Sequence, residues 1–355
     1  MKFTVSRHLF SDLLSTIQGV IPHKSALPVL NNVLLTLEGN TLTATGTDMD
    51  MLATMQITVE GSQNGKFTLP AKRLFSIIKE LPGTEVSLEL KDTVCTIKSG
   101  TSVFRIHGLP FEDFPPVNEV KGKTYSISAA ILCDGFLKTA FSASRDETRY
   151  VLNGVFLKKV GATLSFVATD GRRLSVFKTD INGEDFSAIV PIKCVVQAQN
   201  LLEGDIEFIV SEESVLFKSS NITLRSKLIE GNFPNYENVI PKELPLTGTC
   251  DTKMFMQVLK RVSLLSSAAS ASVKCEWGNM SATLSSSTPD VGDAREIVPV
   301  KFDGVVKSAY NPIFLLEALS VISSPEITFR LKDEISPALF VDGGFSYLIM
   351  PIRVS

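Results

Sequence analysis

Apolar and polar residues alternate through NNVLLTLE and TLTATGT on either side of Gly39-Asn40, which predicts two strands and a tight turn over 31–47. Successive side chains of a strand point to opposite faces, so a sheet with one buried face demands this period of two. Glycine and asparagine suit the turn because both tolerate positive φ. VSLELKDTVCTIKSGTSVFRIHGL at 86–109 predicts two or three more strands, and VLNGVFLKKVGATLSFVATD at 151–170 repeats the first hairpin. Elsewhere the spacing becomes that of a helix with one buried stripe. Six segments read so: 6–20, 70–81, 127–142, 191–202, 252–266 and 311–321.

These patterns recur with one period. Pro70, Pro191 and Pro312 each open a helical segment and stand 121 residues apart. Proline is tolerated there because its missing N–H would have no intrahelical partner. Asp48 in ATGTDMDM and Asp170 in VATDGRRL are 122 apart, and the Phe114-Pro115 and Phe233-Pro234 pairs 119. The candidate helix caps Ser6, Ser128 and Thr252, whose hydroxyls can accept from free first-turn amides, are spaced by 122 and 124. The chain therefore reads as three copies of one domain, at 1–119, 120–245 and 246–355, with junctions where Pro, Gly and Lys cluster. Two helices on antiparallel sheets in each copy make the class α+β.

Composition narrows the function. The chain of 355 residues is 44% hydrophobic and 21% charged, the proportions of globular protein. No apolar run reaches the roughly 18 residues of a membrane span. The start MKFTVSRHLFSDLL mixes charges into its apolar residues and offers no small-residue cleavage site, unlike a signal peptide. Five cysteines, at least 25 residues apart, give neither a disulfide framework nor a zinc cluster, so a reducing cytoplasm is the expected home. His8, His23 and His107 lack metal-ligand spacing, and no cofactor or metal is expected.

Candidate catalytic features are few. Gly61 to Lys66 imitates a phosphate loop, but it is one residue short and Phe67 stands where a magnesium-holding Ser or Thr belongs, so a hairpin turn is expected. No G-x-S-x-G elbow occurs. Asp48, Asp50 and Asp170 are acids that in principle hold a cation in a metal-dependent enzyme. Their equivalent places in two repeats favour instead aspartates that cap turns through backbone amides. The expectation is a protein that is not an enzyme.

Charge is informative once sorted by element. The six helical segments hold nine basic and four acidic residues, an excess of +5 that leaves −8 elsewhere for a net charge of −3. A fold with its helices on one side then has a positive face suited to nonspecific phosphate contacts. No base-stacking motif accompanies it. A structural repeat protein that binds no nucleic acid is the plainer alternative.

Several stretches carry a resemblance. MKFTV at the start, LPVLNNVLL at 27–35, TGTDMDM at 45–51, LPFEDFP at 109–115, ATDGRRL at 168–174, EGNFPNY at 230–236 and MPIRV at 350–354 resemble the bacterial DNA polymerase III β subunit family, the sliding clamps. The match runs from end to end. It implies three clamp domains per chain and a head-to-tail homodimeric ring of six domains around duplex DNA. Helices would line the hole, giving the helical charge excess a place. It further implies a processivity role for the polymerase, no catalysis, and docking of the polymerase III α subunit, clamp loader, other polymerases and repair proteins through a short peptide motif.

Carried over by motif, the peptide pocket is Leu152, Thr169, Gly171, Arg172, Arg173, Leu174, Pro234 and Val239, closed by Leu348, Met350, Pro351, Ile352 and Arg353. Without the resemblance, Leu152, Leu174 and Val239 read as core. Arg172 stands where a histidine is frequent in the family, Asn238 where an arginine is, and Ser270 where a bulkier residue flanks the pocket. Lys24, Lys72, Arg149 and Tyr150 match DNA-contact positions, Val151 replacing a second tyrosine. Leu264 and Leu265 are expected to face Arg73, Phe104 and Ile106 of the partner chain.

Overall fold

Every strand pair among the described residues of the computed structural model (1–22, 24–266, 272–289 and 291–353) is antiparallel, as the α+β reading requires. The first repeat runs β1 (Lys2–Ser6), α1 (Arg7–Gln18), β2 (Asn32–Glu38), β3 (Thr41–Thr47), β4 (Met51–Thr58), β5 (Glu60–Gln63), β6 (Gly65–Pro70), α2 (Ala71–Glu80), β7 (Glu85–Lys91), β8 (Val94–Ser99) and β9 (Ser102–His107). The second runs β10 (Lys123–Ser128), α3 (Ala129–Ala140), β11 (Gly154–Val160), β12 (Thr163–Thr169), β13 (Arg173–Asp180), β14 (Phe186–Pro191), α4 (Ile192–Leu201), β15 (Asp205–Val210), β16 (Ser214–Lys218) and β17 (Ile222–Lys227). The third runs β18 (Leu246–Asp251), α5 (Thr252–Ser263), β19 (Val273–Trp277), β20 (Ser281–Thr288), β21 (Gly292–Pro299), β22 (Lys301–Phe302), β23 (Val306–Tyr310), α6 (Pro312–Ser320), β24 (Glu326–Leu331), β25 (Ala338–Asp342) and β26 (Phe345–Ile349).

All six expected helices form, five of them a residue or two shorter at each end and α5 three residues shorter at its C-terminal end only. Their buried stripes follow the sequence spacing: Phe10, Leu13, Leu14 and Ile17 in α1, and Phe255, Val258, Leu259 and Val262 in α5. Each such side chain removed from water contributes roughly 1.5–3 kcal/mol. The caps differ in part from expectation. Ser6 sits at the cap of α1 but its side chain makes no bond there. Thr252 begins α5 rather than capping it; Asp251 accepts from the Met254 amide at 2.6 Å, while the Thr252 hydroxyl donates to Ser324 O. Pro312 opens α6, whereas Pro70 and Pro191 end the strands just before α2 and α4.

The chain forms two compact units, Met1–Ala130 with Lys193–Leu228, and Ile131–Ile192 with Ile229–Ser355. In the first, β5-β1-β7-β8-β9 make one sheet and β10-β15-β16-β17-β4-β3-β2-β6 another. In the second, a nine-stranded sheet β14-β11-β12-β13-β26-β25-β24-β18-β22 accompanies a four-stranded sheet β21-β20-β19-β23. Sheets thus run through the repeat boundaries. β4 pairs with β17 of the second repeat, and β13 pairs with β26 of the third.

The β2–β3 hairpin forms as predicted, with Gly39 at φ 60°, and Gly161 takes the same φ between β11 and β12. Gly61–Lys66 departs from expectation, because it is no hairpin. β5 pairs with β1 and β6 with β2, so the chain changes sheets at Asn64. Asn64 Oδ1 accepts the Gly39 amide at 2.9 Å, and Asn40 Oδ1 the Gly61 amide at 3.1 Å.

Candidate functional site

The turn 169–173 joins β12 to β13. Asp170 Oδ1 accepts from the amides of Arg172 (2.9 Å) and Arg173 (3.1 Å), and the Thr169 hydroxyl accepts from Gly171 N at 3.1 Å and donates to Arg173 O. This is the turn-capping role expected of Asp170. Asp48 plays it between β3 and β4, accepting from Asp50 N and Met51 N at 3.1 and 2.7 Å. All three acids also pair with cations: Asp48 with Lys193, Asp50 with Lys227 and Asp170 with Arg173. Gly171 is at φ 85°, the left-handed region that glycine enters without strain.

Beyond this turn lies an apolar floor. Leu174 of β13 and Leu348 of β26 stand directly opposite one another and are buried with Val167, Val176 and Tyr236. Phe156 and Phe233 stack beside them, centroids 4.7 Å apart. Leu152 is buried too. Both leucines are thus buried, as the core reading expects, and Leu174 lies in this apolar cluster. Val239 is different: it stands 53% exposed at the end of the short 3-10 turn Tyr236–Val239, with Pro234 exposed just before it. Lys158 fixes that turn through a 2.8 Å bond to Glu237, which lowers the Glu237 carboxyl pKa and raises that of the Lys158 ammonium.

The opposite rim is the chain end. The Met350 amide donates to Arg172 O at 2.9 Å and the Ile352 amide to Ala309 O at 2.7 Å. These two bonds leave the Met350 side chain 41% exposed. Ile352 and Arg353 also line a separate cleft of about 540 Å³ with Lys274, Glu276, Lys307 and Ile335. Arg172 and Asn238 are exposed; Ser270 lies outside the described residues. The described elements are a buried apolar cluster around Leu174 and Leu348, exposed apolar side chains at Val239 and Met350 nearby in the chain, and polar backbone at the 169–173 turn. Such a surface suits an extended peptide with apolar anchors.

Arg173 is buried rather than presented to a ligand. Its guanidinium donates to Asp170 Oδ2 at 3.0 Å, to Phe141 O at 2.5 Å and to Glu317, and lies 4.0 Å from the Phe314 ring centroid. Burial opposes its charge, but the Glu317 bond and the Tyr347, Glu317 and Asp170 charges outweigh burial and raise its pKa. The Tyr347 hydroxyl donates to Phe314 O at 2.9 Å. Phe141, Phe314, Glu317 and Tyr347 were not singled out from sequence. The available signal was Glu317, the one charged residue of helix α6.

The other assigned residues are described within their own units. Lys24, Lys72 and Arg73 are exposed in the first unit. Tyr150 is exposed in the second, and Arg149 donates to Asp170 O at 3.2 Å, which ties it to the pocket turn. Of the helix cations, Lys138, Lys193 and Arg261 are held by Asp134, Asp48 and Glu296. Lys72, Lys79, Lys253 and Lys260 are exposed. Phe104 is exposed on β9, whereas Ile106 is buried at 6% against that sheet's core. Leu264, just past α5, is 79% exposed, and Leu265 is partly buried. His23 lies outside the described residues.

Comparison with known proteins agrees with this geometry. Models of the DNA polymerase III β subunit N-terminal, central and C-terminal domains match residues 1–118, 127–235 and 237–353. The β sliding clamp of Pseudomonas aeruginosa is 31% identical over 367 residues, and that of Caulobacter vibrioides 34% over 376, each covering 100% of both chains. The solved structure of the P. aeruginosa sliding clamp bound to griselimycin superposes with a TM-score of 0.96 at 30% identity, again over 100% of both chains. The chain belongs to the bacterial DNA polymerase III β subunit family, the β sliding clamps.

Proposed function

We infer that two copies of this sliding clamp join head to tail in a closed ring that encircles duplex DNA. The observation that carries this reading is the pattern of sheet joints. Repeat one meets repeat two through β4 and β17, and repeat two meets repeat three through β13 and β26. The equivalent strands left over are β21 of the third repeat and β9 of the first, and both are sheet edges. Unpaired edges invite strand pairing with another chain. Pairing β21 with a partner's β9 repeats the internal joint, and a head-to-tail contact closes a ring when its rotation allows. Phe104 on β9 and Leu264 beyond α5 are the exposed apolar groups for that contact, with Arg73 alongside and Leu265 and Ile106 behind.

On this reading the domains are 1–119, 120–245 and 246–355; the first two matched regions fall inside the first two domains, while the third match, 237–353, begins nine residues before the third. Lys24, Lys72, Arg149 and Tyr150 face DNA through loose phosphate contacts that exchange during sliding, so retention comes from topology rather than affinity. The polymerase, clamp loader and repair proteins dock by peptide on the floor of Leu174 and Leu348 between the Val239 and Met350 rims, with Leu152, Thr169, Gly171, Arg172, Pro234, Pro351, Ile352 and Arg353 around it. The griselimycin-bound relative supports a ligand site in this fold. No described helix is long and apolar enough to cross a membrane, and the cytoplasm, where the chromosome lies, is the proposed location.

Loading onto nicked circular plasmid with a compatible loader, followed by linearisation, tests the ring. Retention on the circle and loss from the linear form is expected. Equal retention on both forms would overturn topological binding in favour of direct adhesion.

A further inference from the structure

The first repeat joint contains a second small cleft, of about 210 Å³, walled by Met49, Leu52, Pro115 and Pro116 and by Arg225 and Lys227. Its turn and its strand joint repeat those of the peptide pocket. Met49 N donates to Thr47 Oγ1 at 3.1 Å as Gly171 N does to Thr169 Oγ1. The Lys227 amide donates to Asp50 O at 2.8 Å as the Met350 amide does to Arg172 O at 2.9 Å. Leu52 stands opposite Arg225 in the β4–β17 pair as Leu174 stands opposite Leu348. The two sites are copies of one design, produced by the repeat.

They differ where a ligand would sit. Leu348 and Met350, a floor and a rim of the peptide pocket, are replaced by Arg225 and Lys227. Met49 holds φ 81° where the other turn has glycine at 85°. A non-glycine residue in that region is strained, and such strain clusters at functional positions. It presents the Met49 side chain, half exposed, at the mouth of the cleft.

We propose that this cleft is a second docking site, which takes an acidic peptide segment of a partner protein with one apolar anchor. The anchor packs on Met49, Leu52 and the two prolines, and flanking carboxylates meet Arg225 and Lys227. Arg225 is pinned by one donor to Asn118 O at 3.3 Å, which leaves further guanidinium donors for a ligand. Lys227 is held by Asp50 at 2.9 Å in a pair whose members are 61% and 78% exposed, so a ligand carboxylate exchanges with Asp50 at little cost. The apolar walls offer nothing to a phosphate chain, which favours peptide over nucleic acid. The comparison rests on the peptide-pocket reading above, and the test separates the two.

The test uses full-length protein with methyl-labelled methionines, because Met49 reports on this cleft and Met350 on the peptide pocket. The probe is the capped pentapeptide Asp-Asp-Leu-Asp-Asp. A saturable shift of the Met49 methyl is expected, weakened at least about tenfold by Arg225→Leu with Lys227→Met, which copies the composition of the other pocket. Arg225→Gln with Lys227→Gln, a milder change, should weaken it in the same direction. No Met49 shift, an equal shift by the Asn-for-Asp peptide, or displacement of the peptide by oligo-dT in preference to acidic peptides overturns the proposal. A separate titration with a glutamine-containing apolar peptide, read at Met350, decides the peptide-pocket reading independently.

Discussion

The guanidinium of Arg173 lies 4.0 Å from the centroid of the Phe314 ring, joining the turn before β13 to helix α6 of the following repeat. With its bonds to Asp170, Glu317 and Phe141 O, it is a clamp across the second joint. Arg173→Ala leaves Glu317 without its buried partner and should lower the unfolding free energy by about 3–5 kcal/mol. Arg173→Lys keeps the charge but not the planar fork, and recovers only part of that. Denaturant melts of both variants check this; an unchanged midpoint in Arg173→Ala would sink it.

Removing the chain from Met350 onward deletes one rim and the bonds to Arg172 O and Ala309 O, but no residue of β9 or β21. The truncated protein should remain dimeric and lose peptide binding. Calorimetric titration of a polymerase-derived peptide is the measurement. Wild-type affinity in the truncation means that the site lies elsewhere.

Charges at Leu264 and Leu265 would be forced into an apolar contact, or would block it. Because isolated buried charges are costly, the double Glu variant should dissociate at concentrations where wild type is dimeric, a loss of several (about 3–5) kcal/mol. Sedimentation velocity reads this directly, and an unchanged dimer rejects the interface.

Alanine at Lys24, Lys72 and Arg149 together should weaken DNA binding and flatten its salt dependence by roughly one unit of slope per lost phosphate contact. A full slope in the triple variant refutes the assignment. Arg149 alone should also loosen the pocket turn, since it holds Asp170 O.

Burial pushes the thiols of Cys95, Cys194, Cys250 and Cys275 up to about 12 from 9.0. A raised native pKa means that the unfolded chain releases these protons first. The stabilisation is therefore complete below 9.0 and is lost as pH climbs toward 12, by up to about 1.4 kcal/mol per pH unit per thiol. Melts of Cys194→Ala against wild type should converge as pH rises through that window. At neutral pH an alkylating reagent should leave these four thiols unmodified until the protein unfolds.

Much of this was legible in the chain because period and polarity are local signals. The helices and the β2–β3 hairpin appear where hydrophobic spacing put them, and Asp48 and Asp170 cap turns as their type and repetition implied. What escaped depends on partners distant in sequence. Arg173 reads as one charge of an ATDGRRL turn, and only the packing of α6 reveals that Phe314 and Glu317 enclose it. Phe104 and Ile106 share one face of β9, and nothing in the local pattern says that Ile106 is covered while Phe104 stays 42% exposed. The 61–66 segment looked like a hairpin because turn residues mark a reversal but not which sheet receives the next strand.

The joints have a consequence for dissecting the molecule. Because β4–β17 and β13–β26 are interior rungs of continuous sheets, a single repeat cut out at its boundary would carry a raw strand edge at each severed joint. Such a fragment is an aggregation template rather than a working third. The smallest piece to express for biophysical study therefore keeps both joints intact, and that piece spans all three repeats.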